Sequence, residues 1–143
     1  MDGNFRIVIA GGGRVGNRVA HILDDRGHDV TVVERDPERA EALSDDYVAT
    51  VIEGDATRPG VLEQAGLERA DVVAALTSQT GTNLAVCLLT RELAPDTQTV
   101  VRTESEPGEE FDRFVDEVIF PERAGARAAV VGAGPPPAAG VRD

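Results

Sequence analysis

Six residues near the N-terminus, Gly11-Gly12-Gly13-Arg14-Val15-Gly16, have the type and spacing to hold a phosphate. They read G-x-G-x-x-G directly after the apolar run Phe5–Ala10 and at the start of an amphipathic stretch. In that setting Gly11 makes a tight turn, Gly13 lets a phosphate approach the backbone, and Gly16 allows close packing of helix on strand. The helix N-terminus then offers free amide groups and a positive dipole end to a pyrophosphate. Glu34 follows eighteen positions after Gly16, where this fingerprint expects an acid that accepts hydrogen bonds from an adenosine ribose. Such an acid repels a 2′-phosphate, which favours NAD or an adenine nucleotide over NADP, and the adjacent Arg35 softens that exclusion. The glycine pattern alone is a weak signal; its place between strand and helix gives it weight.

Two further segments belong to the same end of the predicted sheet. Asp55, in Gly54-Asp55-Ala56-Thr57, closes a third strand, and Thr77-Ser78 closes a fourth. Ligands of doubly wound sheets bind outside those carboxyl ends, where the strand order reverses, so both segments face one crevice. Purely structural roles stand beside these: Thr57 as the N-cap of the next helix, Asp55 as a turn former, Glu34 as a solvated strand-end carboxylate.

Acid–base groups for an enzyme are scarce. His21 falls on the first helix, His28 in the loop before the second strand, and Tyr47, the only tyrosine, at the exit of the second helix. Cys87, the only cysteine, lies on an apolar stripe, where it reads as a small buried hydrophobe and not as a redox switch. Two separated histidines and one cysteine give no metal-ligand cluster.

The elements that must position these groups alternate along the chain. Phe5–Ala10 is a continuous β-branched run, as expected of a strand buried on both faces. Val15, Val19, Ile22 and Leu23 form a helical stripe that Gly27 can terminate. Strand Asp29–Glu34 precedes Asp36-Pro37, an N-cap and first-turn proline for a helix reaching about Tyr47. Strand Ala49–Glu53, a short helix near Gly60–Ala65 ended by Gly66, and strand Asp71–Leu76 come next. A helix over Thr82–Leu93, with Leu84, Cys87, Leu88 and Arg91 along its faces, stops before Pro95. Strand Thr99–Arg102, a short helix over Glu109–Val115, strand Glu117–Phe120 and a last helix over Glu122–Val131 complete the series. The reading is an α/β fold: a Rossmann-like, doubly wound, six-stranded parallel sheet in the order 3-2-1-4-5-6 with helices on both faces. One domain spans residues 1–131, and residues 132–143 have the composition of a linker or tail.

Composition narrows the functions. The chain has 143 residues, 41% hydrophobic and 28% charged, and no apolar run long enough to span a bilayer, so it is expected to be soluble. Without a visible secretory signal, and with a lone cysteine, a cytoplasmic location is the default. Twenty-six acids against fourteen basic residues give a net charge of −12, and every basic residue is arginine. The absence of lysine removes Walker-type triphosphatases and Schiff-base chemistry, and the negative charge argues against nucleic-acid binding. Many carboxylates without lysine suggest adaptation to high salt; composition drift in a GC-rich genome is the alternative.

The ordered set of Gly-x-Gly-x-x-Gly, the strand-end acid, Gly54–Thr57, Val61–Leu67, Ala70-Asp71, Thr77–Asn83 and Asp116–Glu122 resembles the nucleotide-binding RCK (KTN, TrkA-N) domain. The resemblance covers about Phe5 to Val131. It implies a regulatory domain of Trk/Ktr-type potassium transporters or potassium channels, cytoplasmic and held to the inner face of the membrane through its partner. It also implies a ligand, NAD or NADH first and ATP, ADP or AMP next, and a homodimer or higher oligomer embraced through the last helix. By the same resemblance, Gly11, Gly13, Arg14, Val15 and Gly16 surround the phosphates, and Glu34 meets the ribose. Asp55 and Ala56 flank the adenine, Thr77 and Ser78 lie near the second half of the ligand, and Arg102 reaches a phosphate or an acidic neighbour. Two departures stand out. Thr80 and Gly81 occupy places where relatives often carry an acidic pair before the asparagine, here Asn83. The C-terminal lobe of many relatives is not in this sequence, which reads as a short form or an N-terminal domain. The competing functions are a small NAD-dependent oxidoreductase-like domain and a nucleotide-binding module with another partner. A dehydrogenase lacks both its acid–base groups and a second domain to hold substrate.

Overall fold

The computed structural model describes residues 4–46, 49–104, 113–121 and residue 128. In chain order it contains β1 (Arg6–Ala10), α1 (Arg14–Asp25), β2 (Asp29–Glu34), α2 (Pro37–Asp46), β3 (Thr50–Glu53), α3 (Pro59–Gln64), β4 (Val72–Ala75), α4 (Thr80–Leu93), β5 (Gln98–Arg102) and β6 (Glu117–Ile119). The strands form one parallel sheet in the order β3-β2-β1-β4-β5-β6, as the alternation of short apolar runs and helices predicts. The expected helices over Glu109–Val115 and Glu122–Val131, the tail from residue 132 and Tyr47 fall wholly or mainly outside the described residues.

Period-two geometry explains why β1 reads as an unbroken apolar run: its alternate residues feed different cores. Ile7 and Ile9 join Ala20 of α1 and Leu43 of α2 on one face of the sheet. Val8 and Ala10 join Leu62 of α3 and Val86 and Cys87 of α4 on the other. Leu62 is fully buried, and burying such a side chain stabilises the fold by about 1.5–3 kcal/mol.

The helix ends follow local chemistry. Asp36 caps α2 through Oδ1, which accepts from Glu38 N–H at 3.2 Å. Gly27, at φ +86°, ends α1: its N–H reaches Asp24 O and His28 N–H reaches Leu23 O, the paired bonds of a Schellman turn. Gly66 adopts φ +93° after α3.

Three expectations are corrected. On α1 the buried centre is Gly16 and Ala20, with Val15, Val19 and Leu23 beside it. Ile22 falls about 120° from Gly16 at 100° per residue and is 43% exposed. On α4 the buried positions are Asn83, Val86, Cys87 and Thr90, so Leu88 faces outward at 46% exposure. That helix also starts at Thr80, two residues earlier than its apolar stripe indicates, so Thr80 and Gly81 are its first turn and Asn83 lies inside it.

Candidate functional site

Sheet register assembles the site. Ala10 pairs with Val33 and with Ala75, and Ala75 pairs with Val101. One step further along, Glu34, Gly11, Leu76 and Arg102 therefore stand in one row on neighbouring strands, at the end where β1 and β4 part. The ladder continues into the loops: Gly11 N–H donates to Val33 O and Leu76 N–H to Ala10 O, both at 2.9 Å. Above this row lies a cleft of about 400 Å³. Of the residues singled out from the sequence, Gly11, Gly13, Arg14, Glu34, Arg35, Asp55, Ala56, Thr77, Ser78 and Arg102 line it. Val15 packs against the core, and Gly16 sits beneath the turn.

Each glycine has a distinct geometric reason. Gly11 has φ +106°, and a Cβ there would lie 2.8 Å from Thr77 Cγ2 and 3.0 Å from Thr77 N. A Cβ on Gly16 would overlap the carbonyl oxygen of Gly11, which is how α1 crosses so close to β1. Gly13 is different: its backbone is extended, at φ −75°, and nothing lies within 4 Å of the place a Cβ would take. It is the N-cap of α1, no side chain caps it, and the first turn carries no acid. The first helical bond is Asn17 N–H to Gly13 O, 2.8 Å, so the N–H groups of Arg14, Val15 and Gly16 have no acceptor within the helix.

Glu34 is not a solvated carboxylate. It is 4% exposed, and it ties the glycine turn to the start of α2: Oε1 accepts from Gly12 N–H at 2.6 Å and Oε2 from Asp36 N–H at 2.7 Å. A carboxylate has about four acceptor directions, so two remain open. Asp55 behaves as the turn former. Its Oδ1 accepts from Thr57 Oγ1–H at 2.7 Å and from Thr57 N–H at 2.9 Å. The Thr57 hydroxyl bond, then the backbone bond, holds the Asp55 carboxyl below its ordinary 3.8 against the opposing effect of burial, with lesser help from Arg35 and Arg58. Thr57 is not an N-cap; that position is Arg58, without a side-chain cap.

Asn83, which the sequence marks only as the asparagine at the start of the fourth helix, organises the other half of the cleft. It is fully buried. Its Oδ1 accepts from Thr77 Oγ1–H at 2.6 Å and Thr77 N–H at 3.1 Å, while Nδ2–H donates to Arg102 O at 2.8 Å and Thr77 O at 2.9 Å. All four of its hydrogen-bonding directions are used, joining α4 to the ends of β4 and β5. Arg102 places Nη1–H on Leu76 O at 3.3 Å and Nη2 on Glu104 Oε2 at 2.9 Å.

Charge in the cleft runs against the charge of the chain. The lining includes Arg14, Arg35, Arg39 and Arg102 but only two carboxylates, Glu34 and Asp55, in a chain of net charge −12. The histidines are elsewhere. His21 Nδ1 is 2.9 Å from Asn17 O and its Nε2 is 3.6 Å from Asp46. His28 stacks on Phe5 at 3.9 Å between ring centroids, beside Arg6 and Asp71 at the opposite end of the sheet. Burial, with a contribution from Asp116, pushes the Cys87 thiol up to about 12. Among the described residues no cluster of His, Cys, Asp or Glu could hold a metal ion, and no helix is long and apolar enough to cross a membrane.

Comparison with known proteins places this geometry. The TrkA-N domain model matches residues 7–121. The Trk system potassium uptake protein TrkA homolog of Pyrococcus abyssi is 40% identical over 124 residues, covering 81% of this chain and 54% of the relative. The chain thus spans about half the length of the curated relatives it matches first. Among solved structures, the Kef CTD of Shewanella denitrificans in its AMP-bound form is similar with a TM-score of 0.63 and 26% identity, covering 70% of this chain and 60% of that one. The GsuK channel bound to NAD aligns with a TM-score of 0.71 and 23% identity, covering 82% of this chain and 22% of that one. With the six-stranded order, the glycine turn and a family match running from β1 to Pro121, the chain belongs to the TrkA-N domain family.

Proposed function

We propose that this chain is a nucleotide-binding regulatory domain of potassium transport, taking NAD(H) or an adenine nucleotide in the cleft over the ends of β1, β2 and β4. The observation that carries this reading is the uncapped α1 N-terminus opening onto an arginine-rich cleft in an otherwise acidic chain. Backbone N–H groups, a helix dipole and guanidinium groups attract a phosphate there, and the free acceptor directions of Glu34 select an unmodified ribose. Adenosine lies on the Glu34 side, beside Asp55 and Ala56, and the rest of the ligand extends past Gly13 toward Thr77, Ser78 and Arg102. The Pyrococcus abyssi relative is a Trk system potassium uptake protein homolog, and proteins of this fold have been solved with NAD and with AMP, which sets the ligand class to test.

The function is binding and not catalysis. Both cleft carboxylates already accept backbone N–H bonds, and the histidines lie away from the cleft. Regulation follows if the ligand binds two arrangements of the protein with different affinity; ordering the loops after β2 and β4 then biases a homodimer whose state passes to a membrane transporter or channel. On this reading the domain works in the cytoplasm and reaches the membrane through that partner. Calorimetric titration with NAD, NADH, ATP, ADP and AMP in about 2 M KCl, which suppresses acidic self-repulsion, tests the ligand class. Saturable binding of at least one with Kd below about 1 mM is expected. Binding of none would remove the nucleotide reading.

A further inference from the structure

Arg102 stands two strands from Gly11 along the row that crosses the site, about 10 Å at a strand spacing of about 4.8 Å. Glu34 stands one strand away on the other side. A nucleotide with its ribose at Glu34 and its first phosphate at the α1 N-terminus therefore directs any further phosphate toward Arg102. Arginine suits that role, because its planar fork of donors matches phosphate oxygens in pairs.

That fork is already engaged by the chain itself. Nη2 meets Glu104 Oε2 at 2.9 Å, and Nη1–H makes only a long bond, 3.3 Å, to Leu76 O. Arg102 Nε is buried and has no acceptor among the described residues. The present arrangement thus leaves a buried donor unmet, which a small reorientation toward a phosphate can satisfy. The partners are unequal in freedom. The Arg102 side chain is 18% exposed and forms the wall of the cleft, whereas that of Glu104 is 48% exposed. Glu104 can turn its carboxylate into water at little cost. Its backbone stays in place, because its N–H donates to Thr80 Oγ1 at 2.9 Å and Asn83 holds the Arg102 carbonyl.

We propose that Glu104 competes with the second phosphate of an adenine nucleotide for Arg102, and so sets how far the cleft favours diphosphates over monophosphates. A ligand that takes Arg102 releases the Glu104 carboxylate; AMP, whose single phosphate is held at the α1 N-terminus, leaves the pair intact. This inference rests on the nucleotide reading above and adds the residue that tunes it.

The test compares ADP with AMP by calorimetry on the full chain, as wild type, Glu104→Gln and Glu104→Asp, at about 0.15 M salt, with folding checked by circular dichroism. A partly exposed ion pair of this kind is worth about a two- to fivefold change in affinity. Glu104→Gln is expected to tighten ADP by that factor and leave AMP unchanged. Glu104→Asp, with the charge on a shorter arm, is expected to give an intermediate shift. If the wild type binds both nucleotides and neither variant moves the ADP-to-AMP ratio, the competition is refuted and the nucleotide site stands. If none of the three proteins binds either nucleotide, both readings fall.

Discussion

The glycine turn permits a test in which stability and binding separate within six residues. Replacing Gly13 by alanine adds a methyl group to open space on the cleft wall, at a backbone conformation alanine adopts without strain. The gain of about 0.4–1 kcal/mol from lost conformational freedom in the unfolded chain is opposed by alanine's poorer fit to the N-cap, so stability is expected to change by less than about 1 kcal/mol. On the proposed nucleotide reading the same methyl occupies the approach of a phosphate to the backbone, so nucleotide affinity is expected to fall at least about tenfold, or about 1.4 kcal/mol. Gly11→Ala differs in stability: a left-handed φ of +106° and a 3.0 Å approach to Thr77 N cost about 2 kcal/mol. Gly16→Ala forces α1 away from Gly11 O and costs about 3 kcal/mol. Urea unfolding gives the stabilities, and calorimetry with NADH and ADP gives the affinities. The reasoning is refuted if Gly13→Ala is destabilised by more than about 1 kcal/mol, or if it binds nucleotide as tightly as the wild type.

Further outcomes follow from the same contacts. Asn83→Ala leaves the Thr77 N–H and two carbonyl groups without their partner and is expected to lose about 3 kcal/mol, read from urea unfolding; a loss below about 1 kcal/mol would contradict the hub. In the wild type the stabilising charge of Asp55 is fully present above its ordinary pKa of 3.8 and is lost as pH falls through its lower folded value. Thr57→Ala should move that titration upward, visible in the Asp55 carboxyl carbon by NMR. Cys87, buried and raised to about 12, should resist a thiol reagent in the native state at pH 8 and react at the rate of unfolding; rapid native labelling would show that helix α4 opens locally. The acidic surface should make stability rise with KCl, and an unfolding midpoint unchanged from dilute buffer to molar salt would remove the high-salt reading.

What the sequence exposes and what it hides have different physical causes. Strand order is legible because β1 must supply two cores at once and because crossovers of this length admit one hand. The glycine turn is legible because only glycine tolerates the φ at position 11 and the contact at position 16. Asn83 is not legible. It follows the polar run Thr77–Thr82 at the start of the expected helix, and its partners at Thr77 and Arg102 become neighbours only through the sheet. The inward turn of Glu34 is hidden for a similar reason: the acid sits at the predicted place, but its burial depends on N–H groups from two separate segments. The start of α4 was displaced because its first turn, Thr80-Gly81-Thr82, lacks the apolar residues by which periodicity finds a helix.

The two short bonds of Glu34 have an evolutionary consequence. The same carboxylate fastens the glycine turn to α2 and faces the cleft, so this position is under two demands at once. A lineage that changed its cofactor by replacing this acid would first unfasten the turn. If the cleft takes the proposed nucleotide, its preference can therefore drift at Arg35, Arg39 or Asp55 while position 34 stays fixed, and a search for altered specificity should begin with those rim residues and leave the clasp beneath them alone.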